Sequence, residues 1–272
     1  MKHKFKNLRK FTLLAIITQI VFITSCNSDG PIMEQPEQIY YDLAQRRMNA
    51  NNYFSAIEAL QAIETNYPFG RYAEQAQSEL IYAYYMNGED EASHEAAEKF
   101  IRLNPRHPNI DYAYFMRGIS SYTRDKGIFA RVFKRDLSDR DISGAKQAFG
   151  ELSEFLTRFP QSQYAPYASQ RLIYLRSLIA KSELVAAEYY LKRKAYVAAL
   201  RRAKYVIENI PNSSETMRAL NIIRECYQAL GYFELMEDIE GVIEVNGGSV
   251  IETTEPSSWN FFSRKAPQPN QN

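Results

Sequence analysis

Cysteine, histidine and tryptophan are scarce in this chain of 272 residues, and each scarcity narrows what the protein can do. There are two cysteines, Cys26 and Cys226, too few for a disulfide framework. Of the three histidines, His3 sits in a basic leader, and neither His94 nor His107 has a metal-ligating neighbour at a useful spacing. No metal site is expected on that basis. Gly-rich phosphate loops, a GxSxG elbow and a cysteine–histidine arrangement are all missing. Carboxylate pairs such as Glu237 and Asp238 suit a solvated helix face better than acid–base work. Cys226 falls among Ile222, Ile223 and Leu230 at helical spacing, which suits a buried structural thiol. The chain is therefore read as a non-enzyme. A concentrated basic stripe is also absent, so no nucleic-acid partner is expected. What is abundant is tyrosine, 20 residues against a single tryptophan. Its ring fills space between helices while its hydroxyl stays near water.

The formal net charge of +1 hides an asymmetry. Lys2, Lys4, Lys6, Arg9 and Lys10 make a basic start with no acid before residue 26; without them the chain carries 28 basic and 32 acidic side chains. Residues 11–23 follow as a mostly apolar run interrupted by Gln19. That is too short for a spanning helix, which needs roughly 20 apolar residues, and has the form of an export signal. The run ends in Ile23-Thr24-Ser25-Cys26, which resembles a bacterial lipobox. The expectation is a signal peptide over residues 1–25, covalent lipid on Cys26 as the only attached group, and a polar tether over residues 26–36. Each buried lipid methylene contributes about 0.8 kcal/mol, so such an anchor holds firmly without spanning. Asn27 after the cysteine favours outer-membrane sorting.

Internal periodicity organises the rest. An alanine precedes a proline by twelve residues three times, as Ala56 with Pro68, Ala148 with Pro160 and Ala199 with Pro211. Larger apolar residues recur between them: Leu60 and Ile63, Leu152 and Phe155, and the weaker Ala203 and Val206. This is the second-helix pattern of tetratricopeptide repeats. The segment before Pro105 reads as a shifted version with Ala92, Ala96 and Phe100. First helices are expected over residues 38–49, 74–86 and 112–124, with Gly118 as the small residue at a crossing. Residues 164–192 read as one long helix, and residues 215–230 and 232–245 as a final pair broken at Gly231. The fold expected is all-α, a tetratricopeptide-repeat superhelix of five helix pairs in two halves, residues 37–162 and 163–247, joined by the long helix.

Two segments depart from the pattern. Residues 125–141 lengthen repeat 3 with Phe129, Arg131, Phe133, Lys134 and Arg135. An insertion in a repeat array falls on one face, as a binding element or as surface padding. The tail, residues 248–272, is rich in Pro, Ser, Gln and Asn, so disorder is expected. Its Trp259, Phe261 and Phe262 are out of keeping with that composition and suit docking on a partner or on the array. The opening corner, Tyr67 to Tyr72, combines a helix stop at Pro68 with Gly70, read as a residue that supplies a positive φ. Tyr40, Tyr41, Tyr67, Phe69, Tyr72 and Tyr85 would line a concave surface unless they only pack between repeats.

Five stretches are specific beyond the repeat pattern: NYPFGRYAEQAQSELIYAYY (residues 66–85), FIRLNPRHPNIDYAYFMRG (residues 100–118), SDRD (residues 138–141), RFPQSQYAPYASQRLIYLR (residues 158–176) and AEYYLKRKAYVAAL (residues 187–200). Together they resemble the BamD (YfiO-type) lipoproteins of the outer-membrane β-barrel assembly machinery. The resemblance implies a scaffold at the periplasmic face of the outer membrane. Its C-terminal repeats would bind the periplasmic domains of BamA. Its N-terminal repeats would bind unfolded outer-membrane proteins through aromatic C-terminal signals and contact accessory Bam lipoproteins. Carried onto this chain, the BamA-facing surface would include Arg201 or Arg202, and the substrate groove would be Tyr67, Phe69, Arg71 and Tyr72. The alternative is a repeat lipoprotein serving pilus or cell-envelope assembly.

Overall fold

The computed structural model describes residues 36–124 and 142–246. The leader, Cys26, the insertion at 125–141 and the tail from 247 lie outside the described residues. All ten described helices belong to the unit that begins at Glu37. They are α1 (Glu37–Asn49), α2 (Tyr53–Asn66), α3 (Ala73–Asn87), α4 (Asp90–Leu103), α5 (Ile110–Arg124), α6 (Ser143–Arg158), α7 (Ala165–Lys192), α8 (Tyr196–Asn209), α9 (Thr216–Leu230) and α10 (Phe233–Asn246). Each packs on the next, and α3 with α5 and α7 with α9 touch across the repeats, as stacked helix pairs must. None of them is long and apolar enough to cross a membrane.

The second helices α2, α4, α6 and α8 end alike because a proline follows each. Tyr67, Asn104, Phe159 and Ile210 stand before Pro68, Pro105, Pro160 and Pro211 with φ/ψ of −132/56, −123/53, −130/58 and −129/55. The proline ring bars the preceding residue from helical geometry, yet each of these residues still donates its N–H to the carbonyl four residues back. The next helix begins five residues after every one of these prolines. Within the pairs, Asn51, Gly88, Lys194 and Gly231 turn the chain with positive φ (56°, 82°, 59° and 77°). The pair α5–α6 is the one whose link contains residues 125–141.

The alanine–proline spacing marks the core. Ala56, Ala148 and Ala199, with Leu60, Ile63, Leu152, Phe155, Ala203 and Val206, are all fully buried. Small residues at these positions let helices approach closely. A Cβ on Gly118 would stand 2.7 Å from Leu152 Cδ2.

The expected shift in α4 is corrected. Ser93, Ala97 and Phe100 are buried, with His94 beside them, and the three stand in the same register relative to Pro105 as the core positions of the other second helices. Ser93 is tolerated inside because its hydroxyl donates to the Ile81 carbonyl at 2.8 Å and accepts from Ser120 at 2.9 Å. A polar residue at a core position misdirects a reading based on apolar periodicity.

The buried side chains form two clusters. Ala44, Ile57, Leu60, Ile63, Ala76, Leu80 and Ala83 hold α1, α2 and one side of α3. The other side of α3, from Ile81 and Tyr85, opens a cluster that continues to Tyr227 in α9. The long helix α7 belongs wholly to this second cluster and packs on α6, α8 and α9.

Candidate functional site

The corner between α2 and α3 is built differently from its equivalents. Its turn bonds, Gly70 N–H to Tyr67 O at 2.9 Å and Ala73 N–H to Gly70 O at 3.2 Å, recur at His107 and Ser162 in the later corners. Residue 70 therefore needs no positive φ, and it has none. Glycine leaves room there for the Glu37 carboxylate, which any side chain would displace. A Cβ would fall on the Glu37 carboxylate, 2.5 Å from Cδ. That carboxylate, from the first turn of α1, accepts the N–H of Arg71 at 3.0 Å and of Tyr72 at 2.6 Å. Two N–H groups just before α3 are thereby satisfied, and a negative charge sits at the positive end of that helix.

On this base the aromatic side chains separate into two sets. Tyr72 stacks on Tyr41 with ring centroids 4.4 Å apart, and Tyr67 lies against Tyr40 at 6.5 Å. Both pairs pack on the first core cluster. Tyr85 is buried outright and lines no surface, which corrects that expectation. Phe69 is the opposite case, 99% exposed on a turn whose following N–H groups are held by Glu37. Arg71 is exposed too, its guanidinium 5.7 Å from the centre of the Tyr72 ring. Of the four groove residues expected from the sequence, two are half-buried supports and two face solvent.

Glu79 lies beneath the Tyr41–Tyr72 stack. Its carboxylate accepts from Tyr41 Oη at 2.9 Å, Gln45 at 2.6 Å and Gln75 at 2.7 Å. Burial raises its pKa, and the three hydrogen bonds only partly offset that. The sequence signal for this network was Gln75 and Glu79 four residues apart; the partners on α1 lie 34 and 38 residues away.

The second surface surrounds Arg201 and Arg202 on α8. Both line an open depression of about 560 Å³ with Tyr190, Lys194, Tyr196 and Leu230. The two arginines differ in engagement. Arg202 donates to Glu183 on α7 at 2.6 Å, and Lys146 on α6 reaches the other oxygen of the same carboxylate at 3.1 Å. Burial pushes Glu183 up, but these two cations outweigh it and hold the carboxyl below its usual range. Both arginines are exposed, but Arg202 is committed to tying α8 to α7 through Glu183.

One grouping was missed by sequence spacing. His94 and Glu98, one turn apart on α4, meet Glu151 of α6, with ligand atoms all within 4.8 Å. These three residues have the donor types to hold a cation. His94 Nε2 and Glu151 Oε1 already hydrogen-bond each other at 2.9 Å, and Ser121 and Gln147 donate to the same carboxylate at 2.7 and 2.9 Å. Burial raises the Glu151 pKa and those donors lower it further than that, leaving it below the usual value. The arrangement ties α4, α5 and α6 together. Cys226 is buried, and burial together with Glu225 pushes its thiol up to about 11, which makes it a poor nucleophile.

The family model described as "YfiO: Outer membrane lipoprotein" matches residues 33–240. Outer membrane protein assembly factor BamD of Vibrio cholerae is 33% identical over 87% of this chain and 99% of the relative. The protein of the same name from Neisseria meningitidis serogroup A is 36% identical over 77% of this chain and 78% of its own. That of Xylella fastidiosa 9a5c is 33% identical over 86% and 81%. Among solved structures, MamA aligns with 79% of this chain at 16% identity, with a TM-score of 0.31 too low to bear on the fold. The chain belongs to the YfiO (BamD-type) family of outer membrane lipoproteins.

Proposed function

We propose that this protein is a scaffold of the β-barrel assembly machinery, held by lipid on Cys26 at the periplasmic face of the outer membrane, that binds BamA and unfolded outer-membrane proteins without covalent chemistry. The observation that carries the substrate reading is the exposed Phe69 beside Arg71 on a corner fixed by Glu37. A chain that ends in an aromatic residue offers a ring and a free carboxylate. Phe69 offers a ring face, and Arg71 a guanidinium that pairs with a carboxylate through two parallel hydrogen bonds. A corner already held by hydrogen bonds binds with less ordering cost than an unconstrained loop would. Partner binding falls to the α8 depression, where Arg201 presents a cation framed by tyrosines. Accessory Bam lipoproteins are further partners on this reading.

The test is crosslinking in cells. A photoreactive residue at Glu74, exposed in the first turn of α3, should capture barrel precursors with intact aromatic C-termini, and adding Phe69→Ser should abolish capture. Retained capture by precursors lacking that terminus would remove the groove. Arg201→Glu should reduce copurification with BamA while leaving helicity unchanged. Depletion of the protein should lower many barrel proteins together; loss of one appendage alone would speak for the pilus reading.

A further inference from the structure

Among the described residues the last helix, α10, is incompletely covered. Met236 and Ile239 of α10 pack against the core, yet no residue of α10 is buried. In each preceding pair the second helix is sandwiched by the next repeat, whereas α10 has α9 as its main neighbour. Leu235, Val242 and Val245 are 45%, 43% and 86% exposed. At spacings of seven and three residues they form a stripe beside the packed side of the helix. A repeat array needs a polar outer surface at its ends, and this stripe is apolar. Around it stand Glu234, Glu237, Asp238, Glu240 and Glu244, with no basic residue on the helix.

The chain itself contains the complement. Beyond the family match, which ends at residue 240, the sequence runs on through Trp259-Asn260-Phe261-Phe262-Ser263-Arg264-Lys265. Three aromatic rings within four residues are followed, after Ser263, by two cations in an otherwise polar tail.

We propose that residues 259–265 fold back onto α10, the rings covering Leu235, Val242 and Val245 and the cations meeting the helix's carboxylates. Reach is sufficient. The 13 residues from Asn246 to Trp259 span up to about 43 Å extended, while 14 helical residues measure about 21 Å. Tethering also favours this occupant over a second copy, because a short linker holds the segment at an effective concentration on the order of millimolar. The tail is then a cap for the end of the array.

Trp259 is the only tryptophan, so the full lipidated chain in detergent reports on its own tail. Its emission should be blue-shifted from that of a peptide of residues 253–272 in the same detergent, and quenched several-fold less by acrylamide. The pair Val242→Asp and Val245→Asp should return both readings to the peptide's values with helicity by circular dichroism unchanged. Arg264→Glu with Lys265→Glu should do so in part, and more at low salt. If the double aspartate variant loses helicity, Val245→Arg alone serves, at a position already 86% exposed. Three outcomes overturn the proposal: emission in the full chain equal to the peptide's, a blue shift that the α10 substitutions leave intact, or a shift that grows with protein concentration.

Discussion

The Glu37 carboxylate occupies the space that a side chain at residue 70 would need, with its Cδ 2.5 Å from where a Cβ would stand. The two residues are 33 positions apart and on different repeats, yet each explains the other. Glu37 closes the amide groups of Arg71 and Tyr72 only because Gly70 lets it in.

Gly70→Ala should therefore destabilise the chain by about 1–3 kcal/mol through crowding. The cost should largely vanish in a Glu37→Ala background, which has already given up the two hydrogen bonds. Thermal or urea unfolding of the two single variants and the double variant measures this coupling. A cost for Gly70→Ala that persists without Glu37 would show that backbone conformation, not space, selects glycine.

Glu79 should behave opposite to a paired carboxylate. Its pKa is raised in the folded chain, so its favourable contribution is fully present below the usual carboxylate pKa and is lost as pH rises through the folded value. At pH 7 the buried charge works against folding. Glu79→Gln should raise the unfolding midpoint at pH 7, with the gain shrinking as pH falls toward 4. A variant less stable than the parent at pH 7 would contradict this.

Glu183 gives the opposite sign. Its lowered pKa contributes stability above the usual carboxylate range, which is lost as pH falls through the folded value. Lys146 and Arg202 are about half exposed and can return to water when the carboxylate is removed. Glu183→Ala should then cost about 1–2 kcal/mol at pH 7, below the 3–5 of a fully buried pair. The difference from the parent should close on acidification, as measured by unfolding at pH 7 and at pH 3.

The corrected register of α4 makes a sharp contrast between neighbours. Ala97 is fully buried and Ala96 only partly. Ala97→Leu should cost about 1–3 kcal/mol by overpacking, while Ala96→Gln should stay within about 0.5 kcal/mol. Comparable losses at both positions would restore the shifted reading.

Phe69→Ser tests whether the exposed ring serves recognition. With the side chain 99% exposed, stability should change by no more than about 0.5 kcal/mol, and precursor capture should fall. A large loss of stability would mean that the ring is structural after all.

The repeat architecture was legible because it is written locally. A proline dictates the residue before it, a small residue twelve positions earlier dictates a close crossing, and both recur along the chain. Pro68, Pro160 and Pro211 with Ala56, Ala148 and Ala199 were enough to place three second helices, and Gly231 the break in the last pair. What failed was any inference whose partner lies far away in sequence. In sequence Gly70 reads as a conformational residue, because nothing local places Glu37 beside it. Ser93 reads as a surface position, because its hydroxyl partners, Ile81 and Ser120, come from other helices. His94 has Glu98 one turn away in the sequence, but the third group, Glu151, comes from α6. The sequence by itself determined helix limits, turns and the alternation of large and small core residues, since backbone sterics act over a few residues. Tertiary structure decided which tyrosines are supports, which arginine is already paired and which ring faces water, since those depend on what stacking brings together.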